Sequence, residues 1–220
     1  MVPGPGHSVY LPTETSGSSR ALKIGTQVAT ELLLIRHAPS RPPGRLFGRT
    51  DVSADLSEPE KFTAMRAVTR DVERWLSSPA TRCRETFAAI WGDTVAINLD
   101  ARLWEQDFGD WEGLAHKDIP DIGALTGDAL AGYRAPGGES FSDVCARVHP
   151  ALRELAASDD VSRIAIVAHA GVIRAALALA LGAQAPALSF EVQPMSITKL
   201  QVAAPNAISI TCTNWCPQCP

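Results

Sequence analysis

Two histidines stand where apolar runs end. His37 follows Leu32-Leu33-Leu34-Ile35-Arg36, and His169 follows Ile164-Ala165-Ile166-Val167-Ala168. Such runs read as strands covered on both faces. Open α/β sheets build their sites at the carboxyl ends of strands of this kind. On adjacent parallel strands the two imidazoles would share one rim, with Arg36 beside them. Arg82 follows Ser78-Pro79, which reads as the start of a helix, and helix N-termini attract anions. The stretch Leu103-Trp104-Glu105-Gln106-Asp107-Phe108-Gly109-Asp110-Trp111-Glu112-Gly113 sets carboxylates among aromatic rings. Desolvation there would raise a carboxyl pKa and suit one of these groups to general-acid work. Paired arginines and histidines with one acid around an anion describe phosphoryl transfer. Guanidinium forks hold phosphate oxygens, and an imidazole can attack phosphorus and carry the group covalently.

The elements that must position these groups follow from patterning. Glu31–Ile35 is predicted as the first strand, and Ala38–Asp55 as a Pro- and Gly-rich loop whose Arg41, Arg45 and Arg49 form a basic rim. Ser57-Glu58-Pro59-Glu60 has the form of a capping box with proline in the first turn, opening a helix to about Arg70. Val72–Ser77 is the second strand. Ser78 caps a second helix to about Trp91, and Val95–Leu99 is a third strand. Arg102–Gly113 is a loop or edge segment, and Lys117–Gly132 holds one or two short helices. Ala135–Ser140 is a turn, and Ser140 or Ser142 caps a long helix to about Ser158 with Val144, Val148, Leu152 and Leu155 at helical spacing. Arg163–Ala168 is the central strand, followed by a helix from about Val172 to Leu181 that Gly182 ends. Strands near Leu188–Val192, Ser196–Val202 and Ala207–Thr211 complete the sheet. The alternation predicts an α/β fold, a three-layer α/β/α sandwich around a mostly parallel mixed sheet. Residues 1–30 read as a flexible N-terminal extension, 31–211 as the domain and 212–220 as a Cys- and Pro-containing tail. A valine start at Val28 or Val9 would make the upstream residues a gene-model artefact, and N-terminal sequencing of the natural protein decides this.

Motifs in order carry a family resemblance. They are Leu34-Ile35-Arg36-His37-Ala38, Ser78-Pro79-x-x-Arg82-x-x-x-Thr86, Glu105-x-x-Phe108-Gly109-x-Trp111-Glu112-Gly113, Pro136-Gly137-Gly138-Glu139-Ser140 and His169-x-Gly171-x-Ile173-Arg174. Over about Glu31–Leu200 the chain resembles the histidine phosphatase superfamily (phosphoglycerate mutase-like). The resemblance implies that His37 is the nucleophile and becomes phosphohistidine. It implies that Arg36, Arg82 and His169 bind the phosphoryl oxygens and stabilise charge in the transition state. Glu105 would protonate the leaving oxygen and then activate water. No cofactor or metal is implied, because Arg and His do the charge work that Mg²⁺ does elsewhere. The cationic Arg36 and Arg82 would keep His37 neutral near pH 7.

The sequence departs from the family after the nucleophile. Ala38 stands where the family has Gly, and the usual Thr/Ser and Asn are not evident in Pro39-Ser40-Arg41-Pro42-Pro43. Ser40 and Arg49 are the candidate substitutes for substrate binding, with Ala170 beside the second histidine. The segment between the acid motif and His169 looks short for a phosphoglycerate mutase, which favours a phosphatase. Within the superfamily, the Phe-Gly-x-Trp-Glu-Gly and Gly-Glu-Ser pattern resembles the α-ribazole phosphatases of cobalamin synthesis. A broad-specificity sugar-phosphate phosphatase and a mutase-like enzyme are the alternatives. A catalytically silent phosphate-binding module would lack one of the five polar residues, and all five are present.

Net charge −4 argues against a nucleic-acid partner, while a local basic pocket suits a small phosphorylated metabolite. No apolar run reaches membrane-spanning length, no secretory signal is visible, and five Cys in a 220-residue chain do not form a disulfide framework. The expected location is cytoplasmic. The pattern leaves a homodimer open. Cys216-x-x-Cys219 is half of a zinc-type site and reads as part of a disordered tail, and Cys83 reads as a packed thiol. His149 reads as a surface or core residue, and His7 and His116 carry no partner pattern.

Overall fold

A computed structural model describes residues 1, 29–157, 161–204 and 207–217. The N-terminal extension expected before residue 30 lies almost wholly outside these, as do Ser158, His7 and Cys219.

The chain runs β1 (Thr30–Arg36), α1 (Pro59–Val68), β2 (Arg74–Ser77), α2 (Thr81–Trp91), β3 (Asn98–Leu99), α3 (Gly127–Gly132), α4 (Phe141–Ala156), β4 (Arg163–Ala168), α5 (Ala170–Leu181), α6 (Gln184–Ala187), β5 (Ile197–Ala204) and β6 (Ala207–Trp215). These form a six-stranded sheet in the order β3-β2-β4-β1-β5-β6. β4 pairs in parallel with β1 and β2, and β3 with β2. β5 runs antiparallel to β1, and β6 to β5. The sheet is therefore mixed and mostly parallel, as the alternation of elements predicts.

Alternation along β1 explains why its apolar run is unbroken. Leu32 and Leu34 enter one core with Ile164 and Ile166, under Val144, Val148 and Leu152 of α4 and Val172 and Ile173 of α5. Leu33 and Ile35 enter the other with Ala165 and Val167, under Phe62 and Met65 of α1 and Cys83, Phe87 and Ile90 of α2. Side chains of a strand alternate between faces, so a strand covered on both must be apolar throughout. Each buried Leu or Ile contributes about 1.5–3 kcal/mol. The result is three layers with a rigid central pair, β1 and β4.

Several local expectations change. α1 starts with Glu58 as cap residue and has no side-chain cap; the Ser57 amide instead donates to Asp55 Oδ1 at 3.0 Å. Ser78 is not the cap of α2, whose cap residue is Ala80; the Ser78 hydroxyl accepts from the Ala80 amide at 3.3 Å and is bound to His169 at 2.8 Å. Only Asn98–Leu99 of the expected third strand pairs. Leu188–Val192 forms no strand: two of its carbonyls are bound to arginine side chains rather than to a ladder. α4 does carry the Ser140 cap, closed into a capping box by Asp143. β6 continues past Thr211 to Trp215, so Cys212 is a strand residue.

Candidate active site

The parallel register of β1 on β4 sets Arg36 opposite Ala168. His37 and His169 therefore leave neighbouring strands at the same end, and the His37 amide donates to the Ala168 carbonyl at 3.0 Å. The imidazole centroids lie 5.0 Å apart, edge to face. A cleft of about 450 Å³ opens over this rim, lined by Arg36, His37, Ser40, Glu105, Ala170 and Arg174 among others.

His37 is buried, and its Nδ1 lies 2.6 Å from the Ala38 carbonyl oxygen. A carbonyl can only accept, so Nδ1 carries the proton and Nε2 keeps its lone pair. Burial first, then the charges of Arg82 and Arg36, push its pKa down to about 3, against a raising effect of the Ala38 bond. The ring is thus neutral and oriented. The Ala38 amide donates to Thr86 Oγ1 at 3.0 Å, and that hydroxyl donates to the Arg82 carbonyl at 2.7 Å. One turn of α2 consequently fixes both the peptide that orients His37 and the arginine beside it.

Arg82 is fully buried. Its Nη1 donates to the Thr50 carbonyl at 3.1 Å, and its Nη2 to Gly48 O at 2.7 Å and to His169 Nδ1 at 3.3 Å. All these acceptors are neutral. Arg36 donates Nη1 to the Val192 carbonyl at 2.5 Å. The Nε atoms of Arg36, Arg49 and Arg82 are all buried without a hydrogen-bond partner. A buried N–H without a partner costs about 1–3 kcal/mol, and the two on Arg36 and Arg82, whose charges both act on His37, suit an anion shared between them.

His169 is also fully buried. Arg82 can only donate, so His169 Nδ1 accepts, and Nε2–H donates to Ser78 Oγ. Burial, with the positive neighbourhood, holds its pKa well below the usual value. In this arrangement both ring nitrogens are engaged by the protein, so His169 props Arg82. A direct contact with a phosphoryl oxygen would require Nε2 to leave Ser78. Cys83 packs against this ring, its Sγ 3.4 Å from Nε2, and burial pushes its thiol pKa up, as suits a packed thiol.

Glu105 enters the cleft from the segment after β3. Its carboxylate accepts from the Gly171 amide at 3.1 and 3.2 Å and from the Gln106 amide at 2.9 Å. Gly171 lies in the first turn of α5. A Cβ there would sit 2.2 Å from Glu105 Oε1, so only glycine lets the carboxylate dock. Beneath it, Arg147 donates to the carbonyls of Arg102, Trp104 and Glu105 at 2.7, 2.7 and 3.0 Å, and to both oxygens of Glu139.

Arg49 arrives on the loop after β1, and Glu112 holds that loop. The Glu112 carboxylate accepts from the amides of Gly48, Arg49, Thr50 and Phe108. These donors outweigh partial burial and lower its pKa. Arg49 lies over the Trp104 ring at 5.8 Å and reaches Glu139 at 3.4 Å. It is not among the residues lining the cleft. Ser40 lines it and is held by a bridge to Ala54.

The structure thus gathers His37, Arg36, Arg82, His169 and Glu105, with Ser40 and Ala170 at the cleft wall and Arg49 behind. Roles for Thr86, Glu112, Glu139 and Gly171 were present in the motifs but unassigned by spacing. Ser78 had a signal pointing elsewhere, to a helix cap. Arg147 had none, being one of several charged residues on a helix face.

A neutral imidazole aimed from a parallel strand, with arginines around it and a carboxylate in the same cleft, is an arrangement that can carry out phosphoryl transfer on an α/β sheet. The chain belongs to the histidine phosphatase superfamily (branch 1), whose model matches residues 32–214, and it is a phosphatase. It is 34% identical over 172 residues to the glucosyl-3-phosphoglycerate phosphatase of Mycobacterium tuberculosis, covering 70% of this chain and 75% of that protein. Among solved structures, a mycobacterial glucosyl-3-phosphoglycerate phosphatase in complex with VO3 superposes with TM-score 0.73 at 27% identity, over 84% of this chain and 99% of the other. A putative α-ribazole-5′-phosphate phosphatase from Escherichia coli shares the fold, with TM-score 0.72 at 22% identity over 85% of this chain and 97% of that one.

Proposed function

We propose that the protein hydrolyses a small phosphomonoester through a phosphohistidine on His37. The observation that carries this is the Nδ1–H donated to Ala38 O, which presents Nε2 as the nucleophile in a cleft also lined by Arg36 and Glu105. Nε2 attacks phosphorus in line with the ester oxygen. Arg36 and Arg82 take the non-bridging oxygens, with His169 holding Arg82 in place. Glu105 delivers a proton, taken up with the substrate, to the departing alkoxide, so the alcohol leaves neutral. The resulting carboxylate then takes a proton from water as its oxygen attacks the phosphohistidine, which returns free His37 and phosphate. These are electrostatic and acid–base steps carried by the chain's own side chains.

The curated relative that matches over most of the chain supports a phosphorylated sugar acid, glucosyl-3-phosphoglycerate, as the first substrate to test. α-Ribazole 5′-phosphate, expected from the motif pattern, is the second, supported at the level of fold. A purified-enzyme panel of glucosyl-3-phosphoglycerate, α-ribazole 5′-phosphate, 3-phosphoglycerate and sugar phosphates, read as kcat/KM, separates them. Radiolabelled phosphate trapped on wild-type protein in acid-labile, base-stable form, and absent from His37→Ala, supports the covalent route. Turnover persisting in His37→Ala would overturn it. A cytoplasmic site of action fits the described residues, where no helix is long and apolar enough to cross a membrane.

A further inference from the structure

Arg174 closes the last sequence motif but has no part in the chemistry above. It projects from the second turn of α5, which begins at Ala170. Its Nε donates to the Phe190 carbonyl at 2.9 Å, two residues from the Val192 carbonyl that holds Arg36. The segment Leu188–Val192 thus fixes two guanidinium groups side by side, and the charge of Arg174 acts on Arg36. Glu105 offsets Arg36 electrostatically. Among the described residues, Arg174 makes no ion pair, and its terminal nitrogens are bound to no protein acceptor.

Arg174 also stands at a junction. It lines the catalytic cleft of about 450 Å³ and a second cavity of about 260 Å³. Gln106, Phe108, Phe141 and Leu188 are common to both walls. Beyond them the second cavity is walled by Trp111 and Tyr133, stacked at 5.8 Å between centroids. A leaving group that runs from the phosphorus at His37 into this chamber must pass the free face of Arg174.

We propose that Arg174 is a specificity-determining residue that binds a second anionic group, a carboxylate, on the alcohol portion of the substrate, while the remainder of that alcohol lies in the chamber of Phe108, Trp111, Tyr133 and Leu188. Two like charges fixed side by side repel, and a ligand with two anionic groups relieves both. A guanidinium with two free N–H groups matches a carboxylate bidentately. This deepens the phosphomonoesterase reading and rests on it.

The test uses a matched pair, 3-phosphoglycerate and glycerol 3-phosphate, which differ by a carboxylate in place of a hydroxymethyl. Wild-type enzyme is expected to favour 3-phosphoglycerate by roughly 10- to 100-fold in kcat/KM, the range for a charged hydrogen-bonding pair. Arg174→Gln removes that preference. Arg174→Lys, which keeps the charge but not the fork, retains part of it. A wild-type ratio near one, or a ratio unchanged in Arg174→Gln, overturns the proposal while leaving the phosphatase reading intact. Hydrolysis of neither compound nor of p-nitrophenyl phosphate overturns that reading and this one with it.

Discussion

The Ala38 carbonyl lies 2.6 Å from His37 Nδ1, and this contact between adjacent residues leaves Nε2 as the ring nitrogen with the free lone pair. The peptide that supplies the carbonyl also gives its amide to Thr86. The orientation of this imidazole is thus built from backbone and one hydroxyl, without a carboxylate partner among the described residues. Ala38 itself is buried in the core beneath α1 and α2, so the residue that departs from the family's glycine is well accommodated.

Thr86→Val keeps the shape of the side chain and removes the acceptor of the Ala38 amide. A buried amide left without a partner costs about 1–3 kcal/mol, and thermal unfolding should report a loss of that order. The same change frees the Ala38 peptide, so kcat should fall about tenfold with a smaller change in KM. Wild-type kinetics in a variant of normal stability would show that Thr86 does not position His37.

Gly171→Ala places a Cβ against the Glu105 carboxylate, whose Oε1 would lie 2.2 Å away. The carboxylate must move. If Glu105 protonates the leaving group, its displacement matters most for alcohols that are poor leaving groups. Turnover of an alkyl phosphate should drop about 100-fold, and of p-nitrophenyl phosphate no more than about tenfold, within the span of general-acid contributions. Equal losses on both substrates would count against the acid role and point to a packing defect.

The core and the two histidines are legible in the sequence for one reason. Leu32–Arg36 and Arg163–Ala168 are local patterns whose neighbours need not be known, since burial on both faces writes itself as an unbroken apolar run. What resists reading is tertiary. Leu188–Val192 has the apolar character of a strand, yet its carbonyls at Phe190 and Val192 bind Arg174 and Arg36, which come from α5 and β1. Ser78-Pro79 has the form of a helix start, yet the hydroxyl goes to His169, from another strand. Arg147 supports Glu105 and Glu139 together, and nothing about one arginine on α4 announces that. The loop after β1 follows the same rule: Glu112 organises it through amides far away in sequence.

Glu112→Gln tests that organisation. A neutral amide offers one acceptor oxygen in place of two and sets an NH2 against backbone N–H donors. The loop carrying Gly48, Arg49 and Thr50 should loosen, and Arg82 would lose firm partners at the Gly48 and Thr50 carbonyls. KM should rise about tenfold, and backbone amides of 46–50 should exchange faster with deuterium. Unchanged exchange in that segment would place its stability elsewhere.

The buried histidines make an acid-sensitive fold. His37 has its pKa pushed down to about 3, mainly by burial, and burial likewise lowers that of His169 and, less completely shielded, His149. In the unfolded chain each titrates near 6.5. As pH falls below about 6.5, the unfolded state takes up protons that the folded state refuses, so stability is lost with falling pH. His37 alone accounts for about 1.4 kcal/mol per pH unit between the two pKa values. Below about pH 4.5 the carboxylates of Glu112 and Glu139, whose pKa values are lowered in the fold, add a loss of the same sign, which makes pH 6 to 5 the clean window. Urea unfolding across it should show stability dropping with pH, and His37→Gln should flatten the slope by about one proton. A slope unchanged by His37→Gln would mean that this ring already holds its proton in the folded protein, and Nε2 would then have no lone pair with which to attack.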